Sequence, residues 1–196
     1  MGVTSGRGAL GLFGGTFDPI HWGHLLMAEN AREALGLTQL QFVPACVPPH
    51  KQQSRVTAAE HRVAMLEVAI ADNPGFGLCR WEIARVTPSY TVETLRHMQA
   101  EGWGPIYLLI GGDSLAQLAS WREPETIRQL ATLVVVDRPG AEPAAGVRVL
   151  ESPLVAISST DIRQRVQAGE TIRYRVPEAV RAYIVTHGLY HGKTKG

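Results

Sequence analysis

Short apolar runs alternate with amphipathic helical patterns from one end of the chain to the other. Runs at 9–14, 40–44, 77–80, 106–111, 133–137 and 147–151 read as strands. Between them, 25–35, 58–71, 91–99 and 124–129 read as helices from their apolar spacing and their mix of Ala, Leu, Glu and Arg. Strand and helix in strict turn predict an α/β fold: a doubly wound, mostly parallel sheet with helices on both faces. The pattern changes toward the end, where helices near 160–168 and 177–187 have no clear strand between them. A helical C-terminal part, about 158–190, is therefore expected within one domain spanning 1–196, because no linker, repeat or low-complexity tract interrupts the chain.

A sheet of this kind gathers ligands beyond the C-terminal ends of its strands. The loop after the first strand runs Gly14-Gly15-Thr16-Phe17-Asp18-Pro19-Ile20-His21-Trp22-Gly23-His24 and opens into a helix. Glycines let backbone N–H groups approach an anion, and the helix N-terminus adds partial positive charge. His21 and His24 can contribute side-chain donors. The spacing matches neither the dinucleotide fingerprint nor a Walker loop, and the single Gly-Lys-Thr at 192–194 lacks the upstream glycine and the following helix. Two other readings stand beside the phosphate site. One is a tight turn whose histidines are satisfied locally. The other is zinc on His21, His24 and Asp18, which lacks a fourth ligand because Cys46 and Cys79 are isolated.

The segment Ile157-Ser158-Ser159-Thr160-Asp161-Ile162-Arg163 is the second signal. Ser or Thr ahead of an apolar-periodic run is a helix N-cap, and capping alone explains a lone Ser-Ser-Thr. Arg163 changes the balance, since hydroxyls, free N–H groups and a guanidinium on one helical turn make a clamp for polyphosphate. The loop bearing Lys51, the Gly111–Asp113 turn and Arg138 also follow strands, so all should converge on one face of the sheet.

A net charge of +1 argues against a broad surface for nucleic acid or anionic lipid, so phosphate recognition must be local. No apolar run reaches membrane-spanning length, and residues 1–8 carry neither a secretory core nor a myristoylation pattern. Two separated cysteines give no disulfide framework. A cytoplasmic protein without membrane or nucleic-acid partners is expected, with its oligomeric state open.

Gly14 to His24 resembles the first signature of the His-x-Gly-His nucleotidyltransferases, and 157–163 resembles their Ile-Ser-x-Thr-x-x-Arg signature. The Gly-Gly-Thr-Phe-Asp-Pro-Ile-His form is similar to that of bacterial nicotinate-nucleotide adenylyltransferases in particular. So are Pro48-Pro49-His50-Lys51, Pro88-Ser89-Tyr90-Thr91, Gly111-Gly112-Asp113 with Trp121, Arg138-Pro139-Gly140 and the closing Gly188-Leu189-Tyr190. The resemblance implies a Rossmann-like nucleotidyltransferase fold and adenylyl transfer from ATP to nicotinate mononucleotide, yielding deamido-NAD and pyrophosphate in NAD biosynthesis. It implies that Gly14, Gly15, Thr16 and Phe17 offer backbone donors to ATP. It further implies that His21, His24, Ser158, Ser159, Thr160 and Arg163 hold the phosphates, with His21, His24 and Arg163 catalytic. For the acceptor, it places Lys51 near the mononucleotide phosphate, Tyr90 and Thr91 at the pyridine carboxylate, and Asp113 on ribose hydroxyls. Trp121 would stack on the pyridine ring and Arg138 would join the substrate pocket. Magnesium is expected to arrive with ATP, bound mainly by phosphate oxygens and water, so few protein ligands are expected.

Plainer roles remain open at several positions: a rigid solvated loop at 48–51, caps at Ser89, Thr91 and Asp113, and ordinary core for Trp121. Arg122 departs from the family pattern, which has another aromatic or a lysine there. Pantetheine-phosphate adenylyltransferase shares both phosphate signatures, but Pro-Ser-Tyr-Thr, Pro-Pro-His-Lys and the greater length argue against it. A non-enzymatic nucleotide-binding regulator on the same fold would be favoured by loss of His21, His24 or Arg163, and all three are present.

Overall fold

A computed structural model describes residues 7–46, 56–85, 90–111, 115–137, 146–151 and 155–191. Its strands are β1 (Leu10–Gly15), β2 (Gln39–Pro44), β3 (Phe76–Leu78), β4 (Ile106–Ile110), β5 (Thr132–Asp137) and β6 (Val147–Glu151). They form one six-stranded sheet in the order β3-β2-β1-β4-β5-β6, and every neighbouring pair is parallel. The chain winds outward through β2 and β3, then crosses back to lay β4 on the other side of β1. That reversal opens a crevice at the C-terminal ends of β1 and β4, where an open α/β sheet binds its ligands.

The helices are α1 (Trp22–Leu35), α2 (Ala59–Ile70), α3 (Trp81–Ala84), α4 (Thr91–Ala100), α5 (Pro124–Leu130), α6 (Ser159–Gln167) and α7 (Glu178–Thr186). Alternation along β1 divides them between two faces. Leu10 and Leu12 pack with Val92 and Leu95 of α4 and Ile127 of α5. Phe13 packs on the opposite side, in a core that includes Ala28 of α1, Leu66 of α2, Ile162 of α6 and Val180 of α7. Burial on both faces explains why β4 and β5 are nearly continuous apolar runs.

Each expected strand is present, and the doubly wound parallel sheet is the one expected. The third strand stops at Leu78, and the one-turn helix α3 follows it immediately. Four residues are too few to show a helical period, so α3 is invisible in the pattern. Helix α1 begins three residues before the apolar pattern does, because its cap is His21 and its first residue, Trp22, is exposed. It ends at Gly36, whose left-handed φ of 60° lets its N–H return to the carbonyls of Arg32 and Glu33. Between α6 and α7 lies an isolated β-bridge, Arg173 to Val176, rather than a strand, and α7 packs on α2. Among the described residues no helix is long and apolar enough to cross a membrane.

The turn out of β1 is set by aromatic packing. Phe17 has φ 48°, a left-handed conformation that costs a non-glycine residue about 1–2 kcal/mol. Its ring offsets this by burial, meeting Phe13 and Phe42 edge-on with centroids 5.6 Å away in each case. The ring lies directly over Gly15, where an added Cβ would come within 2.8 Å of it. Gly15→Ala is therefore expected to destabilise the protein by about 1–3 kcal/mol, read from the shift of the urea midpoint. An unchanged midpoint would show that the ring is not fixed there.

Candidate active site

The loop from β1 to α1 is held from beneath by Arg62 of α2, whose side chain is only 1% exposed. Its guanidinium donates to four carbonyls: Nε to Thr57 at 3.0 Å, one terminal nitrogen to Thr16 at 2.8 Å, and the other to Ala45 at 2.8 Å and Cys46 at 3.2 Å. Desolvation lowers its pKa, and the nearby Asp18 carboxylate acts against that shift. Asp18 is itself buried. Its Oδ2 accepts from Thr57 N at 3.2 Å and its Oδ1 from the Tyr190 hydroxyl at 2.7 Å. Burial, and then the Asp18 charge, push the Tyr190 phenol well above its ordinary range, so it stays a donor.

His21 and His24 stack at the start of α1, with ring centroids 3.6 Å apart. Nδ1 of His21 accepts from the backbone N–H of His24 at 3.3 Å, so the proton of its neutral ring belongs on Nε2. Desolvation lowers its pKa to about 4. Burial, and then the neighbouring His21, lower that of His24 well below the ordinary value. Near neutral pH both rings are thus uncharged donors. Nδ1 of His24 is buried and has no hydrogen-bond partner among the described residues. No acidic residue occupies the first turn of α1 to cancel its partial positive charge.

The second signature docks onto this loop. Ser158 caps α6 by accepting from Asp161 N at 3.1 Å. Ser159 donates its hydroxyl proton to the carbonyl of Pro19 at 2.8 Å. Arg163 donates to the carbonyl of Asp18 at 2.6 Å and to Oγ1 of Thr160 at 3.3 Å. Arg175 completes the junction, pairing with Asp161 at 3.0 Å while its carbonyl accepts from Trp22 N at 3.1 Å. The hydroxyl protons of Ser158 and Thr160 are left uncommitted by these bonds. Two helix N-termini from distant parts of the chain therefore meet around one loop.

A cavity of about 310 Å³ opens on the other face of the sheet, along the ends of β1 and β4. Gly14, Gly15 and Thr16 line one side of it, and Tyr90, Thr91 and Trp121 line the other. A side chain added at Gly14 would meet no atom within 4 Å, so the strand end is open here. Thr94 and Glu82 also line it, the Thr94 hydroxyl donating to the Glu82 carboxylate at 2.7 Å. Arg122 lies over the Tyr90 ring at 4.7 Å and donates to Glu93 at 3.1 Å. The tyrosine is thereby held at the mouth. His21, His24 and Arg163 do not line this cavity. The site has two halves that share the strip Gly14–Thr16.

The structure thus brings Gly14, Gly15, Thr16 and Phe17 together with His21, His24, Ser158, Ser159, Thr160 and Arg163, and joins them to Tyr90, Thr91 and Trp121. Lys51, Asp113 and Arg138 lie outside the described residues. The zinc reading finds no support in the geometry, because both Asp18 oxygens are engaged and no three His, Cys, Asp or Glu side chains converge among the described residues. Arg62 and Arg175 are site-building residues that the motif reading missed, and Tyr190, quoted there within the closing Gly-Leu-Tyr, was given no role. For Arg62 a signal exists, since it shares the apolar helical spacing of Met65, Leu66 and Ala69.

Residues 12–165 match the family described as cytidylyltransferase-like. The chain is 46% identical over 190 residues to a Geobacillus thermodenitrificans protein named "Probable nicotinate-nucleotide adenylyltransferase", covering 95% of this chain and 88% of that one. A protein of the same name from Roseiflexus sp. (strain RS-1) is 47% identical over 193 residues, covering 92% and 97%. Among solved structures, Plasmodium falciparum nicotinic acid mononucleotide adenylyltransferase complexed with NaAD aligns with a TM-score of 0.75 at 18% identity, over 93% of this chain and 97% of that one. At that identity the likeness concerns the fold.

Keeping His21 neutral has a consequence for stability. The unfolded chain protonates this residue below its ordinary 6.5, whereas the folded chain resists until about 4. Between those values the unfolded state binds more protons, so stability falls as pH drops through the window. At pH 5 the loss from His21 alone is about 2 kcal/mol. Urea unfolding at pH 7 and pH 5 should show a smaller acid loss for His21→Asn, which keeps a capping oxygen. Equal losses in the two proteins would contradict a buried neutral imidazole.

Proposed function

The chain belongs to the cytidylyltransferase-like family and, by identity and coverage, sits among its nicotinate-nucleotide adenylyltransferases; on that premise we propose that it transfers the adenylyl group of ATP to nicotinate mononucleotide. The products are deamido-NAD and pyrophosphate. The observation that carries this reading is the docking of Ser159 and Arg163 onto the carbonyls of Pro19 and Asp18, beside the stacked neutral histidines.

A phosphate oxygen of the mononucleotide forms a bond to the α-phosphorus of ATP while the bond to the bridging oxygen breaks and pyrophosphate leaves. The nucleophile is already anionic near neutral pH, so no general base is required. The obstacle is repulsion between two anions, and positioning with charge stabilisation must lower it. Backbone donors of Gly14 to Phe17 meet the phosphates. Neutral His21 and His24 donate to the triphosphate and to charge developing at the α-phosphate. Arg163, with the Ser158 and Thr160 hydroxyls and the free N–H groups of α6, holds the departing pyrophosphate. Ser159 serves through its grip on Pro19 and its backbone. Magnesium enters as part of the nucleotide substrate.

On the other face, α4 begins at Thr91, and its first N–H groups suit the pyridine carboxylate. An amide would need an acceptor as well as donors, and the preference for the acid rests on the family assignment. Trp121 offers a stacking surface, and Lys51, Asp113 and Arg138 complete the acceptor site.

Pyrophosphate release from ATP should be fast with nicotinate mononucleotide, slower with its amide and absent with phosphopantetheine. Release with phosphopantetheine alone would overturn the assignment. His24→Ala should lower kcat by about 10²–10³, the usual loss for one transition-state donor, and near-normal turnover by the folded variant would remove it from catalysis. Trp121→Ala should raise KM for the mononucleotide about tenfold and leave that for ATP within twofold. A defect confined to ATP would count against stacking.

A further inference from the structure

We infer that Arg62 is a positioning residue for the reaction, fixing the peptide between Thr16 and Phe17 so that the Phe17 N–H faces the nucleotide phosphates. The inference rests on the adenylyl-transfer reading and deepens it. A buried guanidinium whose bonds all go to carbonyls is an expensive way to fill a core, and apolar side chains of similar volume often serve as well or better. What an apolar residue cannot do is orient peptide planes. The Thr16 carbonyl points inward to Arg62 at 2.8 Å, so the N–H of the same trans peptide points the opposite way, away from the guanidinium. Among the described residues no acceptor meets that N–H. The φ of 48° at Phe17 fits this orientation, since the chain must turn left-handed to bring the ring back over Gly15. The bonds to Ala45 and Cys46 tie the β2 end to the same plane. A lysine, with one compact ammonium head, cannot span these segments.

The test is Arg62→Lys, with amide ¹H–¹⁵N spectra recorded during titration with inorganic pyrophosphate. In the wild type the Phe17 amide should move downfield together with those of Gly15 and Thr16. In the folded variant the Phe17 response should vanish, KM for ATP should rise about tenfold, and KM for nicotinate mononucleotide should stay within twofold. Should the variant not fold, the wild-type titration decides. Movement of Gly15 and Thr16 without Phe17 overturns the inference while sparing the proposed function. No movement of any loop amide, with no pyrophosphate release in the acceptor assay, overturns the proposed function itself. A folded variant that retains the Phe17 response, or that raises both KM values equally, reduces Arg62 to a structural role.

Discussion

A positive charge taken out of water must be met where it stands, and the guanidinium of Arg62 is met by the loops that build the site. Its four carbonyl partners come from the turn after β1, the end of β2 and the segment leading into α2. Thr57 passes the connection on, accepting from Arg62 through its carbonyl and donating through its N–H to Asp18. Asp18 in turn receives Tyr190 on its carboxylate and Arg163 on its carbonyl. A single chain of bonds therefore runs from α2 through the glycine-rich turn to α6 and the segment beyond α7. Removing any link leaves a buried charge or polar atom unmatched, which is the strongest form of coupling a core can carry.

The two histidines show the same economy with opposite sign. Burying them at the helix entrance suppresses protonation, so they meet an anion with polar N–H bonds and no net charge of their own. Positive charge is left to Arg163 and to the ends of α1 and α6. Asp161, in the first turn of α6, is paired with Arg175.

The fold was legible because both faces of the sheet are covered, which makes strands short apolar runs and helices amphipathic ones. The site's chemistry was legible where local sequence sets local geometry, as at His21 and Ser158, both of which cap the helices they precede. It was illegible where a partner comes from elsewhere in the chain. Ser159 reads as a cap or phosphate ligand, yet its hydroxyl is committed to Pro19. Tyr190 carries no local sign that it ends on Asp18. Arg62 resembles any arginine that lays its stem along a core and its head in solvent, and only three-dimensional packing shows the head to be enclosed.

Separation of the site onto opposite faces of the sheet has an evolutionary reading. The triphosphate side draws on α1 and α6, while the acceptor side draws on α4 and the segment around Trp121, and among the described residues the backbone strip Gly14–Thr16 is what the two share. Mutations that reshape acceptor preference can therefore accumulate on one surface without loosening the nucleotide grip on the other. A parallel sheet divided in this way is well suited to diversify its co-substrates while keeping one reaction.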